Sequence, residues 1–328
     1  MKIGKVSQTI LKRSMLKSIQ FKNGRALTEL SSEEMCYGIV NEDNEQILLS
    51  DAVLYGDEKD LGIFAFAQVM NDLATRGAKL IGISIHITLP PHAYESRLKA
   101  MAENVEKIAA LNEVQVLCAK AEVSPVVNKG IIHMNGIGVT TRDQFLANGQ
   151  GKPGQDIVLL GFIGLEGTFR ALRAKEAELS KRFVPSFLNG IHQLEEKLIS
   201  KEAILLAQQM GASAMQQIKS GGILGTLWEM ADASDVGLEV DIKKMSILQE
   251  TIEICEFCHL NPYQLTSAGS ILVFTERGEE LVEKCIEQGI CASMLGKTTD
   301  LTERVILGGE EKRFLDKPAM DELLKLFE

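Results

Sequence analysis

Two aspartates raise the first chemical question. Asp72 follows Asn71 within residues 61–76, where Leu61, Ile63, Phe64, Phe66, Val69, Met70 and Leu73 make a predicted helix apolar nearly all round. Such a helix is covered on most sides, and a carboxylate within it needs a hydrogen bond, a counter-charge or a metal. Asp51 stands at the end of a predicted strand, 46–52, one connection earlier. If strand and helix pack together, the two carboxylates can converge, as in a Mg²⁺–phosphate site. Spacing alone leaves an equal alternative: Asp72 lies on the helix's one exposed stripe and Asp51 begins a turn.

Two glycine turns come next. Gly164, Gly167 and Thr168 follow a predicted strand at 156–162 and open a predicted helix running to about 179. Unpaired amides there can hold an anion. The bland reading is a glycine turn with Thr168 as helix cap. Neither the dinucleotide fingerprint nor the P-loop ending is present. Ser220-Gly221-Gly222 opens another predicted helix, to about 234, and has the same two readings: helix cap or phosphate cradle. His86 and His133 fall on the polar faces of predicted strands, in phase with Ser84, Thr88 and Asn135. Each is either a pocket residue or a satisfied sheet histidine.

Six cysteines are scattered along the chain. Cys255-Glu256-Phe257-Cys258-His259 matches the haem-attachment pattern, but covalent haem requires export and no secretory segment is evident. Buried cysteines at the end of a helix over 248–260 are the expected state. No second ligand pair suits zinc.

These residues sit in an alternation of strands and helices. Ile81, Ile83, Ile85, Ile87 and Leu89 alternate with Gly82, Ser84, His86 and Thr88, which predicts a strand with one core face. A helix is predicted at 93–111, and strands at 113–123 and 130–140. The glycine- and proline-bearing stretch 142–156 marks a boundary, giving domains 1–148 and 149–328, both mixed α/β. Beyond it, 185–210 reads as helix in two pieces, 238–242 and 270–274 as strands, and 278–288 as a helix. With 328 residues, each domain can bury its own core. The formal charge of −10 falls almost wholly after residue 148, which disfavours a nucleic-acid partner. No run of apolar residues is long enough to cross a membrane. Reduced, scattered thiols suggest a cytoplasmic protein. The first 28 residues carry seven Lys/Arg and no acid, and are read as a helix or arm with a basic face.

The order of segments resembles the AIR synthase superfamily. Ser50-Asp51, Met70-Asn71-Asp72-Leu73-Ala74-Thr75-Arg76-Gly77-Ala78, the strand ending in Pro90-Pro91, Ala121-Glu122-Val123 with Asn128, and Gly136-Ile137-Gly138 resemble its N-terminal domain. Ser220-Gly221-Gly222-Ile223, Leu227 to Ser234, and Val236-Gly237-Leu238-Glu239 resemble its C-terminal domain. The nearest branch is that of AIR-synthase-related proteins similar to the hydrogenase maturation protein HypE. The resemblance implies a homodimer whose N-terminal domains pair into a β-barrel, ATP in a long groove, and Mg²⁺ on aspartates. It implies phosphoryl transfer from ATP to a small molecule, or activation of an amide. Asp51 and Asp72 match the metal-binding aspartates and Asn71 supports them. Glu122 matches a retained acid, and Ser220, Gly221 and Gly222 match the C-domain glycine motif. Gly164, Gly167 and Thr168 are weaker ligand contacts.

Three departures stand against that pattern. The acidic glycine segment expected before the first core strand reads Ser31-Ser32-Glu33-Glu34-Met35-Cys36-Tyr37-Gly38. Cys118-Ala119-Lys120-Ala121 replaces a glycine-rich acidic motif, and Gln217-Ile218-Lys219 replaces Asp-x-Thr. The HypE branch modifies a C-terminal cysteine, whereas the last cysteine here is Cys291 and the chain ends Lys325-Leu326-Phe327-Glu328, so carboxamide dehydration is not expected. Two functions follow as expectations: an ATP-dependent kinase or amide-activating enzyme, or a catalytically degenerate ligand-binding or scaffolding paralogue.

Overall fold

The structure is a computed structural model that describes residues 4–5, 8–24, 45–141, 143–147 and 149–327. Two compact units are present. The first holds Met1–Leu73 and Ala78–Phe145, the second Ala74–Gly77 and Leu146–Glu328.

In the first unit the elements run β1 (Gly4–Lys5), α1 (Gln8–Ser14), β2 (Glu45–Gly56), α2 (Leu61–Thr75), β3 (Lys79–Leu89), α3 (Glu95–Leu111), β4 (Gln115–Val123) and β5 (Gly130–Thr141). They form a five-stranded sheet in the order β1-β4-β3-β5-β2. β3 and β4 are parallel, joined by the α3 crossover; the other pairs are antiparallel. The isoleucines at odd positions of β3 are all buried, as the alternation requires. α2 is buried on nearly every side, as its composition demands. It packs so closely on β5 that a Cβ at Gly136 would lie 2.0 Å from Val69, and one at Gly62 would lie 2.3 Å from Val105 of α3. α2 ends on Gly77, whose φ is +74°, with Ala78 N–H donating to Leu73 O at 2.9 Å. This is the glycine-ended helix stop that the sequence position implies. The basic N-terminal helix docks on α3: Arg13 Nε and Ser14 Oγ donate to Glu95 at 2.6 and 2.7 Å. These bonds, with Arg13's first, hold the Glu95 carboxyl down at about 2.

β2 is longer than the predicted 46–52 and forms the edge of the sheet. Its outward side chains Ile47, Leu49, Val53 and Tyr55 are exposed, Leu49 at 74%.

The second unit runs β6 (Asp156–Leu160), α4 (Leu165–Ala174), α5 (Glu176–Arg182), α6 (Pro185–His192), α7 (Lys201–Gln209), β7 (Ala214–Gln217), α8 (Gly222–Ala233), β8 (Gly237–Asp241), α9 (Gln249–Cys258), β9 (Ile271–Thr275), α10 (Gly278–Glu287), β10 (Ala292–Thr299), β11 (Arg304–Gly308) and β12 (Glu311–Phe314). Its seven-stranded sheet has the order β12-β11-β8-β10-β6-β9-β7, and only β11 and β8 pair in parallel. Helices cover both faces. Ile157 and Leu159 of β6 join α8 in one core, with Ile223, Leu227 and Met230. Val158 and Leu160 join α7 and α10 in another, with Ile204, Leu281 and Cys285. A strand covered on both faces reads as a continuous apolar run, which is what β6 and β9 show.

Three expectations change here. The helix expected from Gly164 to about 179 breaks at Lys175, whose φ of −120° interrupts it. The stretch 185–210 forms three pieces, with a 3₁₀ turn at Glu195–Leu198 between α6 and α7. The α8 cap is Gly221, at φ +85°, one residue later than Ser220. The segment 31–38 lies outside the described residues. Among the described residues no strand pairs with the outer edge of β2.

α9 ends on His259 in the left-handed region, φ +56°, with Leu260 N–H donating to Cys255 O at 2.9 Å. A side chain there costs about 1 kcal/mol that glycine avoids. His259→Gly should therefore raise the unfolding free energy by up to about 1 kcal/mol, less its greater unfolded-chain entropy, in urea titrations. A clear loss would show that the imidazole has a role beyond ending the helix.

Candidate functional site

The carboxylates are placed by strand alternation. β2 pairs with β5 without a bulge from Glu45 to Gly56, so consecutive side chains point to opposite faces. Ser50 faces the helices, and its Oγ donates to Asp72 Oδ2 at 3.2 Å. Asp51 therefore points away from α2, to the outer face, where it is exposed. The structure does not bring Asp51 and Asp72 together. No group of three or more His, Cys, Asp or Glu among the described residues could hold a metal. Asn71 is buried at 1%, beside the half-buried Asp72 on α2.

The outer face gathers the polar residues of three other strands. Asp51 lies opposite Asn135, and Asn135 opposite Ser84; Asn135 Nδ2 donates to Ser84 Oγ at 3.4 Å. One step along, His86 lies opposite His133 and beside Lys120. Glu122 accepts from Thr88 Oγ1 at 3.3 Å, and its other oxygen is 4.0 Å from His86 Nε2. Glu122 thus shares a face with Asp51 and not with Asp72.

In the second unit the glycine amides are engaged internally. Gly164, at φ +75°, caps α4, and its N–H donates to Ser267 Oγ at 2.5 Å. Gly167 N–H donates to Thr266 O at 3.0 Å, and a Cβ there would lie 2.2 Å from Leu265. Thr168 Oγ1 sits one helical turn inside, donating to Gly164 O at 2.8 Å and lying 3.0 Å from Thr251 Oγ1. The glycine turn of the bland reading is present, but the cap of α4 is Gly164 and not Thr168, which lies inside the helix. Ser220 is exposed. Gly221 N–H donates to Asp321 Oδ2 at 3.0 Å, and Gly222 N–H to Lys219 O at 2.9 Å. A Cβ at Gly222 would meet Tyr263 O at 2.5 Å, so only glycine fits that approach.

Sequence reasoning missed the partners that hold these turns: Ser267, Thr266 and Asp321. It also missed the buried Glu166, which accepts from Thr266 Oγ1 at 2.9 Å and lies 3.6 Å from Arg170. The Glu-x-x-x-Arg spacing was readable as an i,i+4 pair. The Asp321 contact spans 100 residues and leaves no local signal.

Residues 152–308 match the family of the AIR synthase related protein, C-terminal domain. A Methanocaldococcus jannaschii protein named for hydrogenase expression and formation is 25% identical over 97% of this chain and 95% of its own. The carbamoyl dehydratase HypE of Azotobacter vinelandii is 25% identical over 89% of this chain and 90% of its own. Residues 152–308 therefore belong to the AIR-synthase-related C-terminal domain family, and the chain as a whole is similar to HypE proteins. The fold agrees with solved structures: a hydrogenase maturation protein HypE in complex with ATP superposes with a TM-score of 0.75 at 17% identity, over 96% of this chain and 95% of that one. A thiamine-monophosphate kinase from Stenotrophomonas maltophilia gives 0.71 at 16% identity, over 94% and 98%.

Within this superfamily frame the replaced motif at Cys118–Glu122 lies along β4, with Cys118 buried and Lys120 exposed. The Cys255–His259 segment is a helix end: Cys255 is 2% exposed and His259 is the left-handed stop. Burial pushes the Cys255 thiol up to about 12 and the Cys285 thiol up to about 11. Thiolates are the reactive form, so both should resist iodoacetamide in the native protein at mildly alkaline pH and label fully in guanidinium. Peptide mass spectrometry reads the result. Native labelling of either at the rate of a free thiol would contradict the packing.

Proposed function

We propose that the protein is an ATP-dependent enzyme of this superfamily, transferring a phosphoryl group to a small molecule or activating an amide, with Mg²⁺ entering on the nucleotide. What carries the reading is that the likeness to the relatives and to the ATP-bound fold runs nearly the whole length of the chain, through both units. The donor set fits such an ion. Mg²⁺ is commonly held by one or two carboxylates plus substrate phosphates and waters, so Asp72, braced by the Ser50 hydroxyl, would suffice without a second protein carboxylate. The cation would neutralise charge on the phosphoryl oxygens. The chain's own residues orient its anchor: Ser50 fixes the Asp72 carboxylate from β2. Asp51, with Asn135 and Ser84, forms a separate polar row open to the acceptor or to a partner chain.

A second reading has its own observation. The amides of Gly164, Gly167, Gly221 and Gly222 all have protein acceptors, which suits a ligand-binding or scaffolding paralogue without turnover. Release of ADP with any acceptor in a broad panel decides for the enzyme.

We also infer a homodimer formed along β2. A twelve-residue edge strand that exposes Ile47, Leu49, Val53 and Tyr55 is a pairing template that soluble proteins cover, and a second copy offers the same strand. A cytoplasmic location suits the reduced thiols.

Two outcomes test this. Mg-ATP at about a hundred times its dissociation constant stabilises a protein by about 2.7 kcal/mol, so it should raise the melting temperature by several degrees, and Asp72→Ala should remove most of that gain. An unchanged wild-type melting temperature at millimolar Mg-ATP would oppose nucleotide binding. Leu49→Lys should halve the mass found by light scattering. A wild type with the mass of a single chain would oppose the dimer.

A further inference from the structure

A cavity of about 310 Å³ opens on the second unit, lined by none of the residues considered above for nucleotide or metal. Its walls are the turn after β6, the 3₁₀ turn Glu195–Leu198, the start of α7 and the turn from α10 into β10. Backbone contacts fix these walls to one another. Gly161 N–H donates to Cys291 O at 2.8 Å. A Cβ on Gly161 would lie 2.6 Å from Gly269 O, and one on Gly269 would lie 2.1 Å from Lys197 O. Both positions are left-handed, at φ +88° and +90°, so glycine is required twice over. Ser200 stands where a hydroxyl ordinarily caps a helix. It makes no such bond to α7 and donates instead to Gly269 O at 2.5 Å. The cavity is thus built into the fold.

Its lining divides by chemistry. Leu165 and Ala203, 2% and 5% exposed, with the half-buried Ile199 and Ile290, make an apolar base. Glu196, Lys197 and Glu202 line the exposed rim, and among the described residues none of these three side chains enters an ion pair. Other exposed charges of this unit are paired along their helices: Lys175 with Glu178, Arg277 with Glu280, and Lys284 with Glu287. Half-buried Cys291 completes the wall. Small-ligand sites are commonly clefts of about 300–1,000 Å³ with a mostly apolar lining and a few polar groups, and this cavity has that size and that make-up.

We propose that the cavity binds a small organic ammonium ion, with its apolar body on Leu165, Ile199, Ala203 and Ile290 and its charge on Glu196 and Glu202. Two carboxylates against one lysine leave the rim anionic, and a hydrogen bond between ionised partners is about twice as strong as a neutral one. Two sources share this chemistry: a plain alkylamine, and an apolar amino acid whose carboxylate meets Lys197. The site lies wholly in the second unit and is independent of the nucleotide and dimer readings.

Cys291 reports occupancy. The test is its rate of alkylation by iodoacetamide in the full chain, read by peptide mass spectrometry, with isopentylamine, leucine or 4-methylpentanoate present. These probes share one branched apolar body. A ligand at about three times its dissociation constant leaves about a quarter of its sites free, so isopentylamine should slow alkylation about fourfold at that level. 4-Methylpentanoate should have no effect. The double variant Glu196→Gln with Glu202→Gln, changed only at exposed positions, should keep its melting temperature and lose the protection. Protection by leucine equal to that by the amine supports an amino acid as the source, and weaker protection supports a plain amine. Calorimetric titration of the same three probes gives the same order without relying on the thiol. No binding of the amine or of leucine at millimolar concentration would overturn the proposal. So would equal binding of 4-methylpentanoate, or protection that survives the double variant.

Discussion

Everything chemical in the first unit depends on the two-residue period of a strand. Ser50 and Asp51 are neighbours in β2, and the unbroken ladder with β5 sends their side chains to opposite faces. One face is closed by α2, so Ser50 meets Asp72. The other is open, so Asp51 meets Asn135 and the row behind it. A single bulge would have exchanged the two sets. The proposed metal anchor depends on that register, since it places the Asp72 carboxylate, and not Asp51, against the Ser50 hydroxyl.

The second unit shows the same economy at helix starts. The first turns of α4 and α8 present amides that are satisfied by the protein itself, through Ser267 and Thr266 in one case and Asp321 in the other. The difference between the two turns is burial. α4 is enclosed from Leu165 to Leu172, with Gly167 pressed on Leu265, so its glycines serve close packing. The start of α8 borders a cavity and is covered by a segment that is mostly exposed.

Much of the architecture was legible because local pattern and tertiary burial agree. The isoleucines of β3, the all-round apolar α2 and its Gly77 stop, and the doubly covered β6 and β9 each state their environment in their own residues. That His86 and His133 lie on the polar faces of their strands was equally readable; that they face each other in register was not. What was not legible depends on distant partners. β10 carries a bulge between Met294 and Gly296 that breaks its alternation, and β12 is exposed throughout, so neither carries a strand period. The convergence of Asp51 and Asp72 seemed open because spacing gives strand and helix but not which face of the strand the helix covers. Asp321 could not be tied to Gly221 by any local signal.

Calorimetric titration of ATP with magnesium and with EDTA addresses the central claim directly, comparing wild type with Asp51→Asn and Asp72→Asn. The account predicts that magnesium strengthens ATP binding to the wild type and to Asp51→Asn by the same factor, and that Asp72→Asn loses that factor. Equal loss in both variants would mean that the two carboxylates share one ion, and would contradict the placement of Asp51 and Asp72 on opposite faces of the sheet.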